Sequence, residues 1–166
     1  MNYFPDQVFI GLQETPSEIS LVIPLAGCSH HCVGCHSPHL QDKNGGEVLT
    51  EERYLKYLQQ YKDKASCICF FGGESHGVTL AVWAGIAHGY GFKTALYSGF
   101  DFEEIQGGLF DGLLKGLADC FDYVKCGSYV EELGGLDMIE TNQVMWKKVE
   151  DYWVNITSEF QRYNYV

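Results

Sequence analysis

One stretch decides both the fold and the chemistry of this chain: residues 19–36, which read ISLVIPLAGCSHHCVGCH. Its first half alternates apolar and small side chains and predicts a buried strand. Its second half carries Cys28, Cys32 and Cys35 in the loop after that strand. Three thiolates at this spacing can hold three irons of a cubane iron-sulfur cluster. The fourth iron would then have no protein ligand, and an open iron is a catalytic position.

Length and composition set the frame around this loop. A chain of 166 residues lies in the single-domain range, and it contains no linker, repeat or low-complexity tract, so we expect one domain over residues 1–166. Seven cysteines is an odd number, and the first residues lack the pattern of a signal peptide. We therefore expect reducing cytoplasm, with the cysteines kept as thiols or metal ligands. The apolar runs are shorter than the roughly 20 residues of a membrane span, which predicts a protein without membrane contact.

The charge excludes one class of partner. Twenty-two acidic residues oppose 11 basic ones, giving a net charge of -11, and Lys and Arg cluster nowhere in the sequence. Such a surface repels the phosphates of DNA and RNA. Nucleic acid is therefore not an expected partner.

The elements along the chain alternate between strands and helices. Residues 8–12 and 19–23, joined by a turn at Thr15-Pro16-Ser17, predict an N-terminal hairpin. Further strands are predicted at residues 67–71, 93–97 and 121–124. Capping and periodicity predict four helices: one after Thr50, one over about residues 75–88, one after Asp101 with Glu104, and one through Leu109, Leu113, Leu114 and Leu117.

Strands that alternate with helices favour a parallel sheet built from βαβ units. A closed eight-unit barrel takes about 250 residues, so this chain predicts an open partial (βα) barrel or a curved α/β sheet. Ligands of such sheets bind at the carboxyl ends of the strands. We expect four loops to meet there: residues 28–35, 72–74, 98–99 and 125–128.

The order of these motifs resembles a known family. The Cys-x3-Cys-x2-Cys loop followed by a strand ending in Gly72-Gly73-Glu74 resembles the radical S-adenosylmethionine superfamily. Residues 46–50 before a helix, Tyr97-Ser98-Gly99 and Thr141-Asn142-Gln143 narrow the resemblance to the activating proteins of anaerobic ribonucleotide reductases. The resemblance covers roughly residues 5 to 150. It implies the radical S-adenosylmethionine type of open partial barrel, with the N-terminal hairpin in front.

The resemblance also implies a site. Cys28, Cys32 and Cys35 would bind a [4Fe-4S] cluster, whose open iron accepts the amino and carboxylate groups of S-adenosylmethionine. Glycines at residues 72 and 73 let backbone approach the cofactor closely. The residues expected to contact the cofactor are Gly34, Cys35, His36, Gly72, Gly73, Glu74, Ser98 and Lys125.

The implied activity is that of an oxidoreductase. Reductive cleavage of S-adenosylmethionine would give methionine and a 5'-deoxyadenosyl radical, which takes a hydrogen atom from a glycine of the partner. That partner would be the large catalytic subunit of the anaerobic ribonucleotide reductase, presenting a flexible glycine loop. The electron would come from a donor such as a flavodoxin or ferredoxin.

Two alternatives compete with this interpretation. The first is a zinc-binding interaction module that uses the histidines of the same loop. Its weakness is the missing second ligand pair, since neither Cys67-x-Cys69 nor Cys120 with Cys126 has Cys-x2-Cys spacing. These four cysteines are instead predicted to be small buried side chains. The second alternative is another small radical enzyme acting on a metabolite, which would need an enclosed polar pocket that a short chain scarcely provides.

Overall fold

The structure, a computed structural model, describes residues 1–108 and 115–161. In that part of the chain, three α-helices occur: α1 (Glu51–Tyr61), α2 (Gly77–Gly89) and α3 (Phe102–Gly107). The strands of the same part are β1 (Asn2–Tyr3), β2 (Phe9–Gly11), β3 (Ser20–Pro24), β4 (Glu47–Val48), β5 (Cys67–Phe71), β6 (Lys93–Tyr97), β7 (Tyr123–Cys126), β8 (Val144–Val149) and β9 (Tyr152–Asn155). No helix among these residues is long and apolar enough to cross a membrane.

A seven-stranded mixed sheet forms the centre of the fold, in the order β2-β3-β5-β6-β7-β8-β9. Strands β3, β5, β6 and β7 run parallel to one another, as the alternation of strands and helices predicts. At one margin β2 pairs antiparallel with β3, in the predicted hairpin. At the other margin β8 and β9 add two antiparallel strands. The closing of this sheet into a partial barrel stays a prediction.

Both faces of the parallel strands are covered, which explains their apolar composition. Every residue of β3 is buried, because a strand inside a parallel sheet packs on two sides. On one face the helices supply the core, where the Tyr54 ring stacks on Trp83 with centroids 4.7 Å apart. The opposite face carries a smaller apolar cluster that includes Cys67, Cys69 and Leu136. The sheet therefore has one face covered by helices and an opposite face that packs against a smaller cluster including Leu136 and Ile156.

The helices begin where their capping residues stand. Thr50 accepts a hydrogen bond from the Arg53 amide through its side chain, and Asp101 with Glu104 forms a full capping box. Helix α2 is apolar on nearly all sides, which suits its position against the sheet, where Leu80 and Ala84 are buried.

The carboxylate of Glu18 holds the amino ends of the parallel strands together. It accepts hydrogen bonds from Ser66 Oγ at 2.6 Å and from the Tyr123 hydroxyl at 3.2 Å. Lys93 Nζ lies 2.7 Å from the same carboxylate. These three partners precede or begin β5, β7 and β6, so one side chain joins neighbouring strands at the edge of the sheet opposite the cysteine loop.

Three expectations differ from the structure or fall outside it. The last parallel strand was predicted at residues 121–124, but β7 begins two residues later, at Tyr123. Phe121 follows a short 3-10 helix and is buried before the strand begins. The prediction also lacked β1, β4, β8 and β9. Of the helix predicted after Gly108, Leu109, Leu113 and Leu114 lie outside the described residues, and Leu117 begins that 3-10 helix, Leu117–Cys120.

Candidate iron-sulfur and cofactor site

The four loops expected to meet do lie side by side at the carboxyl edge of the parallel strands. Hydrogen bonds continue the ladder past the strand ends: the Leu25 amide to the Phe71 carbonyl at 3.0 Å, the Gly72 amide to the Tyr97 carbonyl at 2.9 Å, and the Ser98 amide to the Lys125 carbonyl at 2.8 Å. These hydrogen bonds therefore hold the loop that follows each parallel strand against the carboxyl end of the neighbouring strand. This edge is the candidate site.

The cysteine loop is tied down at its start and open at its tip. Amides of Gly27 and Cys28 both donate to the Leu40 carbonyl, at 2.7 and 2.9 Å, which closes the loop on itself. The tip is solvent-facing, and Val33 is 81% exposed. All seven cysteines of the chain are free thiols, and the three in this loop are half-buried. The loop thus presents its thiols at a surface and still has a fixed base.

The Cys28 thiol is half-buried, and the charges that act on it include those of the other two loop cysteines. Burial raises the pKa of the Cys28 thiol above its usual value, and nearby negative charge on Glu74, Cys32 and Cys35 raises it further. A bound iron reverses this effect, because the metal's positive charge stabilises the thiolate. Cys28 is therefore kept as the neutral thiol in the absence of a metal, and a bound cation would favour its thiolate.

The Gly72-Gly73-Glu74 turn packs directly on the base of the loop. Both glycines have positive φ, 73° and 92°, which L side chains rarely adopt. A Cβ on Gly73 would also overlap the Leu25 side chain. Glu74 is 5% exposed, and its charge acts on both Cys28 and Lys125. The turn therefore brings bare backbone and one buried carboxylate to the site.

Ser98 and Gly99 lie against the same loop from the next strand. A Cβ on Gly99 would overlap the ring of His30, and that ring packs edge-on against Phe100 with centroids 4.3 Å apart. The Ser98 oxygen accepts a hydrogen bond from the Phe100 amide at 3.0 Å, so this hydroxyl shapes its own turn. Its contact with a cofactor stays a prediction.

Lys125 brings a buried positive charge to the edge. Its side chain is 8% exposed, and its ammonium donates to the carbonyls of Gly127 at 2.7 Å and Ser98 at 3.4 Å. Burial lowers the pKa of Lys125 to about 8, while Cys126, Cys32, Glu74 and Cys28 act in the opposite direction. The amine therefore stays mainly protonated at pH 7, close to the cysteines and to Glu74.

The donor set fits a cubane cluster. Three thiolates are the ligands that iron-sulfur clusters use, and each binds a different iron, so their sulfurs need not crowd together. One zinc ion, with Zn–S bonds of about 2.3 Å, would need sulfurs about 3.8 Å apart. In the described part of the chain, no three His, Cys, Asp or Glu side chains are grouped closely enough to hold a single metal ion.

Two histidines near the cysteines each have a ring nitrogen without a hydrogen-bond partner among the described residues. The Nε2 atoms of His30 and His39 are buried and have no hydrogen-bond partner among the described residues. By contrast, His31 bonds Gln41 through Nδ1 at 3.0 Å, and the His36 ring packs against Tyr129 with centroids 4.6 Å apart. His31 and His36 therefore contact different partners, Gln41 and Tyr129.

Two contacts at the site were not expected from the sequence. Tyr129 packs on His36, and the Glu131 carboxylate lies where a Cβ on Gly34 would approach within 3.0 Å. Both residues follow β7, and residues after the carboxyl end of a parallel strand are expected near the ligand site. Their position in the sequence could therefore have predicted these contacts. The other cysteines agree with expectation in part, since Cys67, Cys69 and Cys126 are buried and Cys120 is half-buried.

Comparison with known proteins places the loop in a family. The family model described as "4Fe-4S single cluster domain" matches residues 19–137, which include all three loop cysteines and most of the chain. No curated protein and no solved structure matches the chain. The match agrees with the cluster inferred from the cysteine spacing, and the chain belongs to the 4Fe-4S single cluster domain family of iron-sulfur proteins.

Proposed function

We propose that this chain is a radical S-adenosylmethionine activase that generates the glycyl radical of an anaerobic ribonucleotide reductase. One observation carries the proposal. A three-cysteine loop, a Gly-Gly-Glu turn and a buried lysine lie together at the carboxyl edge of four parallel strands. A cluster used only for structure or electron transfer needs four protein ligands and has no need of the other two features.

The cofactors would supply the radical chemistry. When bound, a reduced [4Fe-4S] cluster would give one electron to S-adenosylmethionine, and cleavage of its carbon-sulfur bond would yield methionine and a 5'-deoxyadenosyl radical able to take a hydrogen atom from a glycine. The products are 5'-deoxyadenosine and a glycyl radical on the partner. The electron comes from a separate donor, such as a flavodoxin or ferredoxin.

The chain's own residues bind and orient these groups. Cys28, Cys32 and Cys35 would hold three irons, and the positive φ of Gly72 and Gly73 turns the chain so that their backbone lies at the site, packed on Leu25. Its ammonium group and carboxylate find groups of opposite charge at the site. The cofactor contacts proposed are Glu74 for the ammonium, Lys125 for the carboxylate, Ser98 for the carboxylate or ribose, and the backbone of Gly34, Cys35 and His36 for the adenosine.

A macromolecular substrate suits the exposed rim of this site. The loop tip faces solvent at Val33, Gly34 and His36, so another protein can reach it. We propose that an open partial barrel receives the glycine loop of the reductase's large catalytic subunit at this rim. A glycine loop is flexible and narrow enough to enter a shallow site.

Anaerobic reconstitution tests the proposal. The protein is loaded with iron and sulfide, reduced, and mixed with S-adenosylmethionine and an anaerobic ribonucleotide reductase. We expect 5'-deoxyadenosine by chromatography and a glycyl radical signal by electron paramagnetic resonance. Cys32→Ala is expected to lose both, whereas Cys120→Ala, which changes a half-buried cysteine far along the chain, is the matched control and keeps both.

The outcomes separate the competing functions. A colourless protein that binds zinc and leaves S-adenosylmethionine intact would support an interaction module. Formation of 5'-deoxyadenosine without a glycyl radical would retain the radical enzyme and reject this partner, which leaves a metabolite as substrate.

A further inference from the structure

Three consecutive polar residues before β8 hold a segment that lies next to the cysteine loop. We call residues 141–143 the clasp and residues 127–134 the site segment. Each clasp side chain donates a hydrogen bond to a backbone carbonyl of the site segment. The pairs are Gln143 Nε2 to Gly127 O at 3.3 Å, Asn142 Nδ2 to Ser128 O at 2.9 Å, and Thr141 Oγ1 to Gly134 O at 3.3 Å.

The clasp is itself ordered. The backbone N–H of Gln143 donates to Thr141 Oγ1 at 3.1 Å, which fixes the position of that hydroxyl oxygen. Gln143 itself is only 7% exposed. Because Thr141 and Gln143 bond opposite ends of the site segment, the clasp fixes where the segment starts and where it ends.

The site segment in turn contacts the residues that flank the third cluster cysteine. Its Tyr129 ring packs on His36, and its Glu131 carboxylate lies beside Gly34. These two loop residues directly precede and follow Cys35. A displacement of the site segment would therefore change the position of Cys35.

The clasp also reaches the buried lysine. The Gly127 carbonyl accepts from both Gln143 Nε2 and Lys125 Nζ, so the two donors share one acceptor. Gly127 has a φ of 93°, and a Cβ there would lie 3.1 Å from the Asn142 carbonyl oxygen. The clasp thus packs closely on the turn that sets the direction of the Lys125 ammonium.

We propose that Thr141, Asn142 and Gln143 are positioning residues for the cofactor site: they seat the site segment against the cysteine loop and fix the acceptor of Lys125. This inference rests on the proposed function for the identity of the cofactor. The side-chain hydrogen bonds of the clasp go to the site segment, and it acts on the site through Gly127, Tyr129 and Glu131.

Matched variants separate positioning from general stability. Thr141→Val removes the hydroxyl and keeps the shape, whereas Thr141→Ser restores it. Gln143→Leu removes the donor to Gly127. Thr157→Val is the control for loss of a threonine hydroxyl away from the site segment. The Thr157 hydroxyl accepts from the Met145 amide and donates to Asn155 Oδ1.

Two measurements are made on the cluster-loaded proteins. Hydrogen exchange reports the amides of residues 28–36 and 127–134, and titration of S-adenosylmethionine into the reduced protein follows the cluster's paramagnetic resonance signal. For Thr141→Val and Gln143→Leu we expect faster exchange in both regions and about tenfold weaker cofactor binding, since Thr141→Val loses two internal hydrogen bonds and Gln143→Leu loses one. Thr141→Ser and Thr157→Val are expected to match the wild type in both measurements.

The proposal is overturned if faster exchange stays within residues 127–134 and cofactor affinity is unchanged. If Gln143→Leu does not fold, the Thr141→Val and Thr141→Ser pair decides. If the wild type itself does not bind S-adenosylmethionine, the proposed function fails, and exchange at residues 28–36 alone decides whether the clasp positions the cysteine loop.

Discussion

Replacing Glu18 with glutamine tests the account of how the sheet is held at the edge opposite the site. The carboxylate accepts hydrogen bonds from Ser66 at 2.6 Å and Tyr123 at 3.2 Å and pairs with Lys93 at 2.7 Å. The amide of glutamine can accept at only one of its two terminal atoms. Its nitrogen would then face a donor.

The expected loss of stability follows from those three contacts. A hydrogen bond to a charged group exceeds a neutral one by roughly 1 kcal/mol, and two such bonds are weakened. The Lys93 side chain is 49% exposed, so its ion pair adds only about 0.5 kcal/mol. The sum is about 2.5 kcal/mol, or a fall in Tm of about 8 °C for a chain of this size.

The assay is thermal unfolding followed by circular dichroism, on cluster-free protein because acid removes iron. Burial opposes ionisation of Glu18, but hydrogen bonds from Lys93 and Ser66 outweigh it, and the net effect lowers the pKa of this carboxyl. A group with a lowered folded-state pKa stabilises the protein above its unfolded value of about 4.3, and this contribution fades as pH falls through the folded pKa. The difference between wild type and Glu18→Gln is therefore full at pH 7 and smaller at pH 3.5.

Glu140→Gln, which changes an exposed glutamate, is the control and is expected to leave Tm within 1–2 °C of the wild type at both pH values. Equal stability of Glu18→Gln and wild type at pH 7 would refute the reasoning. A difference that is the same at pH 7 and pH 3.5 would show that the charge of Glu18 is not its source.

Three further substitutions test the site itself. Gly73→Ala is expected to lower stability by about 3 kcal/mol in urea unfolding, because it combines a positive φ with overlap on Leu25, and an unchanged midpoint would contradict this. Gly99→Ala should displace the His30 ring and slow cluster assembly, measured by iron uptake, whereas wild-type uptake would show that the ring is free to move. Lys125→Met is expected to weaken S-adenosylmethionine binding about tenfold, through loss of one charge-assisted contact, with iron content unchanged. Equal affinity in calorimetry would remove Lys125 from the cofactor site.

The parts of the fold that the sequence predicted depend on residues close together in the chain. The apolar run of β5, bounded by Gly72 and Gly73, and the cap of α1 at Thr50 each follow from neighbouring residues. The meeting of the loops at one edge follows from the rule that parallel strands end on the same side. Local pattern and general topology together were enough to bring Cys28, Gly73 and Lys125 to one place.

The parts that were missed depend on contacts between distant segments. Strand β8 has consecutive lysines, Lys147 and Lys148, which break the alternation expected of a strand. Its stability comes from pairing with β7 and from Trp146, which packs on Phe102 with ring centroids 5.1 Å apart. Likewise the hydrogen bonds of the clasp reach backbone carbonyls, whose positions no side-chain pattern reveals.

The most direct test of the central claim is the low-temperature paramagnetic resonance spectrum of the reduced, cluster-loaded protein, recorded with and without S-adenosylmethionine. We expect the signal of a reduced [4Fe-4S] cluster that changes shape when S-adenosylmethionine binds the open iron. We also expect loss of that signal in Cys28→Ala, Cys32→Ala and Cys35→Ala, and its retention in Cys120→Ala. A cluster signal that S-adenosylmethionine leaves unchanged would contradict the open iron, and a signal that survives loss of all three loop cysteines would contradict the site.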